Sequence, residues 1–69
     1  MTVSMKVRST LAMLEGVLSD FKTMHTESSD GNTRKEFERL ISETDIIVGK
    51  LRARIEEIAE EEPQYREDQ

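Results

Sequence analysis

A seven-residue repeat of apolar side chains, interrupted once, limits this chain to paired helices. Val7, Leu14 and Phe21 recur at intervals of seven, as do Val3, Thr10, Val17 and Met24, with Leu11 and Leu18 beside them. In heptad terms these files fill the a, d and e positions, a stripe wider than a plain coiled-coil seam. The two-residue alternation of a strand fails throughout. Gly16 falls on the opposite face, where it costs about 1 kcal/mol relative to Ala. The pattern predicts a helix over about 3–26.

The interruption is the run T-E-S-S-D-G-N from Thr26 to Asn32, made of turn and cap residues with no hydrophobe. Asp30, Asn32 and Thr33 are each competent N-caps, and Thr33 with Glu36 fits a capping box. A second helix is predicted over about 32–61. Its apolar face carries Phe37, Leu40, Ile41, Ile47, Val48, Leu51, Ile55 and Ile58, with Thr44 on the stripe and Arg54 at its edge. Ile46 and Gly49 lie off it. Charged residues fill the remainder, with helix-spaced pairs such as Arg34–Glu38, Arg39–Glu43 and Arg52–Glu56. Pro63 ends the helix, because the residue before a proline avoids helical angles.

So short a connection makes neighbouring helices antiparallel. The charges agree. Lys6 and Arg8 sit in the first turns of the first helix, and Glu56, Glu57, Glu60 and Glu61 in the last turns of the second. Both sets oppose the local helix dipole. A hairpin brings the two ends together, so the misplaced charges become complementary. At the turn, Glu27 and Asp30 face Arg34 and Lys35 in the same sense. The stripes are too wide for one hairpin to cover. The expected architecture is therefore an all-α antiparallel two-helix hairpin over residues 1–62, paired by homodimerisation into a four-helix bundle. Self-association is expected through Val7, Leu11, Leu14, Leu18, Phe21, Phe37, Leu40, Ile41, Ile47, Val48, Leu51, Ile55 and Ile58. Residues 63–69 are expected to form an acidic, flexible tail.

Composition removes several function classes. The chain has 69 residues, no cysteine and one histidine. Disulfides, thiolate metal sites, cysteine nucleophiles and paired-histidine sites are therefore excluded. The net charge of −5 is uneven: residues 1–54 carry +1 and residues 55–69 carry −6. Phosphate tracking needs clustered positive charge, so no nucleic-acid partner is expected. No apolar run reaches membrane-span length, so no membrane insertion is expected. Lys6 and Arg8 precede an amphipathic pattern rather than the apolar core of a leader, which points to the cytoplasm.

No residue set suggests catalysis. His25 lacks partners at ligand spacing and reads as a half-buried edge histidine. Glu56, Glu57, Glu60, Glu61 and Glu62 spread around a helix end rather than forming a cage. No cleft separates two carboxylates for acid–base work, and no glycine-rich phosphate loop is present. The expectation is a protein that is not an enzyme and uses no cofactor or metal. Met24 belongs to the stripe. Met5 and Met13 lie off it and, with Ile46, could make a second, shallower apolar surface.

Two segments carry a resemblance. Met1-Thr2-Val3 with Val7, Thr10-Leu11-Ala12, Leu14 and Gly16 at the start, and Glu61-Glu62-Pro63-Gln64-Tyr65-Arg66 at the end, resemble a family of small bacterial proteins catalogued as domain of unknown function 1657. The resemblance extends over nearly the whole chain, including the break near Asp30 and the aromatic at Phe37. The E-E-P-Q-Y ending is its more specific part. It implies an accessory protein of endospore-forming bacteria, acting beside a membrane protein in the forespore or spore, and it supplies no catalytic residues.

The resulting expectation is a helical interaction protein that self-associates and engages a partner through Glu61, Glu62, Pro63, Gln64 and Tyr65. Tyr65 is the sole tyrosine and follows a rigid proline among acids, a suitable anchor for recognition. Two rivals stand beside it: a structural or storage protein of the spore interior without a specific partner, and a small regulatory ligand-binding bundle.

Overall fold

The alternating three- and four-residue spacing of the buried side chains decides how the helices meet. The computed structural model describes residues 2–61. They form α1 (Val3–Glu27) and α2 (Gly31–Glu61), joined by Ser28, Ser29 and Asp30. A three-residue connection leaves α2 nowhere to go but back along α1. The outcome is an antiparallel hairpin, a rod measuring 49 × 17 × 12 Å. Its thickness is that of one helix, so the hairpin is a single layer with two open faces. Both helices match their predicted extents to within a residue at each end.

Along α1 the seam runs through Ser4, Val7, Leu11, Leu14, Leu18, Phe21 and His25. Along α2 it runs through Phe37, Ile41, Thr44, Val48, Leu51, Ile55 and Ile58. Every one of these is buried or half-buried. The rings of Phe21 and Phe37 meet near the turn with centroids 6.1 Å apart, tilted by 41°, an aromatic pairing that fixes the register. Leu18, Val48, Ile55 and Ile58 form the buried apolar core, and Ser4 and Thr44 are the buried polar residues among them.

The wide stripe leaves one file of α1 open in the single hairpin. Val3, Val17 and Met24 are 58%, 42% and 41% exposed, and on α2 Ile47 is 51% exposed. Two helices in contact share only the a and d files. A third file lies about a quarter turn away and faces water unless another helix covers it. The seam takes in His25, half-buried as expected, and Ser4, whose polar character hid it.

The anticipated charge pairs are also redistributed. Arg39 pairs with Glu36 at 2.8 Å and Arg54 with Glu57 at 3.2 Å, each three residues apart. Arg52 crosses to Glu15 on α1, and Glu38 crosses to His25. Apart from the half-buried His25 these side chains are largely exposed, so the Arg–Glu pairs contribute about 0–1 kcal/mol each. The interhelical ones act on register more than on stability.

The seam makes a direct prediction. Leu18→Ala and Ile55→Ala should each lower unfolding free energy by about 2–5 kcal/mol. Ile46→Ala, on the outer face of α2, should change it by less than about 0.5 kcal/mol. Urea denaturation checks this. Equal losses at Ile46 and Leu18 would show that the seam is misassigned.

Candidate functional site

The turn is tied by side-chain hydrogen bonds from both of its sides. Thr2 caps the first turn of α1: its Oγ1 accepts from the Met5 amide at 3.1 Å. Asp30 does the same for α2. Its Oδ2 accepts from the Thr33 amide at 2.9 Å and from the Thr33 hydroxyl at 2.7 Å. Of the three caps that the sequence allows, the chain uses Asp30, and Thr33 becomes its donor. Both hydrogen bonds favour the ionised carboxylate, the side-chain bond first and the backbone bond second, and hold Asp30 below the ordinary carboxylate range.

Arg34 closes the other side of the turn. It is half-buried, and one guanidinium nitrogen donates to the carbonyls of His25 at 2.9 Å and Ser28 at 3.0 Å. These carbonyls lie at the C-terminal end of α1, where a cation complements the dipole. Arg34 therefore reaches backbone oxygens rather than the acids Glu27 or Asp30. His25 Nε2 lies 3.1 Å from Glu38 Oε2.

Beyond the turn, the two long edges of the hairpin differ in chemistry. In an antiparallel pair, the residue just before each a position points to one edge on both helices, and the residue just after each d position points to the other. The first edge receives Val3, Thr10, Val17 and Met24 from α1, and Leu40, Ile47 and Arg54 from α2. The second receives Arg8, Glu15 and Lys22, facing Glu38, Asp45, Arg52 and Ala59. The Arg52–Glu15 and His25–Glu38 contacts both lie on this second edge. One edge is thus mainly apolar and the other mainly charged. Near its open end the charged edge holds a shallow groove of about 290 Å³, lined by Arg8, Leu11, Arg52, Ile55, Glu56 and Ala59. Arg8 and Glu56, expected to meet across the open end, share this lining.

The residues expected to mediate self-association separate into three groups. Leu18, Val48, Ile55 and Ile58 are buried within the hairpin itself. Val7, Leu11, Leu14, Phe21, Phe37, Leu40, Ile41 and Leu51 are half-buried, and Ile47 is exposed. Of the expected partner-binding residues, Glu61 ends α2 and is exposed; Glu62, Pro63, Gln64 and Tyr65 lie outside the described residues, as does the expected tail. Among the described residues, no group of three or more His, Asp or Glu side chains is placed to hold a metal ion. No helix among them is long and apolar enough to cross a membrane. Comparison with protein-family models, with curated proteins and with solved structures gives no match.

Reading the sequence missed Arg34 and the asymmetry of the two edges. Arg34 stands one turn inside a helix, where an arginine usually reads as a surface charge. The edges become distinguishable only once the a and d files are assigned correctly, which needs Ser4 in the seam.

The cap gives a pH prediction. Asp30 has a lowered folded-state pKa, so its contribution to stability is fully present above the ordinary carboxylate value. It is lost as pH falls through the lower folded value. Asp30→Ser keeps a capping oxygen and removes the titration. The melting temperature of Asp30→Ser should therefore fall less than that of the parent between roughly pH 4 and pH 2. Identical acid profiles would contradict the role given to Asp30.

Proposed function

We propose that this chain is a non-enzymatic helical interaction protein that works as a homodimer, two hairpins joining along their apolar edges into a four-helix bundle. The observation that carries the reading is the exposed Val17 and Met24 of α1 on the same edge as the exposed Ile47 and the half-buried Leu40 of α2. Surface hydrophobes scattered singly call for no explanation, whereas several grouped on one edge mark an interface. Stability supports it as well. Four buried apolar side chains are a small core for a hairpin of this length. Chains below about 70–80 residues draw only about 3–5 kcal/mol from a single core and commonly gain the rest by oligomerising.

The resemblance to domain of unknown function 1657 adds the setting. In this reading the dimer is a spore-related accessory protein in the cytoplasm of the forespore or in the spore. It acts beside a membrane protein, and the acidic segment from Glu61 to Tyr65 engages that partner. Affinity capture with the full chain and with residues 63–69 removed tests the last step. Capture by the full chain alone supports the assignment, and equal capture by both removes it.

Dimerisation has its own test. Sedimentation equilibrium at micromolar concentration should give twice the 8.0 kDa chain mass. The double variant Val17→Glu, Ile47→Glu should sediment as a monomer, with a melting temperature that no longer depends on concentration. A parent chain that is monomeric under these conditions would refute the dimer.

A further inference from the structure

The apolar edge is bordered by charges that are sorted along the rod. Lys6 follows Val3 by three residues, Asp20 follows Val17 by three, Glu36 precedes Leu40 by four and Lys50 follows Ile47 by three. At those spacings each charge neighbours its apolar residue on the helix surface. All four charged residues are exposed. Lys6, Asp20 and Lys50 make no ion pair among the described residues, and Glu36 holds only its neighbour Arg39.

Their distances from the turn follow from the helix rise. α1 ends at Glu27 and α2 begins at Gly31. At 1.5 Å per residue, Glu36 and Asp20 lie about 8 and 10 Å from those ends, and Lys50 and Lys6 about 28 and 32 Å. The turn half of the edge is thus bordered by Asp20 and Glu36, the open half by Lys6 and Lys50. Leu40 and Ile47, about 14 and 24 Å from the turn, stand on either side of a midpoint at about 19 Å.

We infer, resting on the dimer proposed above, that the second hairpin runs in the opposite sense, each turn toward the other's open end, with the two-fold axis crossing the rod at that midpoint. A closed pair of identical edges has two choices of axis. An axis along the rod sets both turns at one end and lays α1 on α2 of the second copy. Lys6 then approaches Lys50 of the second copy, and Asp20 approaches Glu36, each contact formed twice. An axis across the rod lays each helix on its own counterpart. Lys6 then meets Asp20 of the second copy, Lys50 meets Glu36, and Leu40 packs on Ile47. Juxtaposed like charges penalise the first arrangement, and opposite charges fix the second. The transverse axis leaves one like-charge approach, Glu43 beside its own copy, because Glu43 lies about 18 Å from the turn. Complementary contacts outnumber it.

The chain has no cysteine, so Ser29→Cys, in the exposed turn, carries a single spin label per copy. Dipolar spectroscopy on the dimer should give a separation of about 40 Å, twice the span from turn to axis. A separation within about 20 Å, the spacing of neighbouring helices with their labels, would overturn the orientation and leave the dimer standing. No intermolecular separation, together with a monomer mass in sedimentation, would overturn the dimer and the orientation with it. Charge gives an independent sign. Lys6→Glu places a carboxylate in the first turns of α1, where the helix dipole favours one, so the hairpin still folds. In the inferred arrangement this carboxylate faces Asp20 of the second copy. The dimer dissociation constant should therefore rise several-fold at low salt, and adding Asp20→Lys should restore it. With the turns together the carboxylate would face Lys50, so an unchanged or lower dissociation constant for Lys6→Glu would overturn the proposal.

Discussion

The structure rests on a seam of side chains alternately three and four residues apart, closed on itself by a three-residue turn. That spacing keeps one narrow line of each helix pointed at the other for the length of the rod. The turn then sets the register. Asp30 satisfies amides at the start of α2, Arg34 satisfies carbonyls at the end of α1, and Phe21 meets Phe37 just beyond. Polar capping on one side of the turn and an aromatic contact on the other leave little room for slippage. The positions of Leu18, Val48, Ile55 and Ile58 follow from that register.

A narrow seam has a further consequence. It uses two files of each helix and leaves the flanking files to become edges. Antiparallel chain direction then gathers like files from both helices on the same edge. One edge collects Val17, Met24, Leu40 and Ile47, and the other collects Arg8, Glu15, Lys22, Glu38, Asp45 and Arg52. A parallel pair would have mixed these files, and the contrast between a mainly apolar and a mainly charged edge would be lost. Fold topology alone thus turns a sequence with unremarkable local charge patterning into a two-sided object.

Much of this was legible in the residues. The helix extents follow from periodicity and from the hydrophobe-free run around Ser29. The antiparallel arrangement follows from the shortness of that run. His25 was legible as a half-buried residue at the end of α1, but Ser4 was not, because Val3 is the better hydrophobe. Hydrophobicity alone selects the wrong member of that adjacent pair; the three-and-four spacing from Val7 selects the right one. The cap choice was open because Asp30, Asn32 and Thr33 all carry suitable oxygens, and only backbone geometry separates them. Arg34 was hidden for another reason: its acceptors are main-chain carbonyls, which leave no trace in side-chain pairing.

The most direct measurement of the central claim compares two adjacent isoleucines. Ile46 is 58% exposed and Ile47 is 51% exposed in the single hairpin, but only Ile47 lies on the apolar edge. Broadening of their methyl NMR signals by a soluble paramagnetic agent, at a concentration where the chain is associated, reports which one is covered. The account expects strong broadening at Ile46 and protection at Ile47, shared by Val17 and Met24. Equal broadening at Ile46 and Ile47 would show that the apolar edge stays open to water, and the two-edged account would fail.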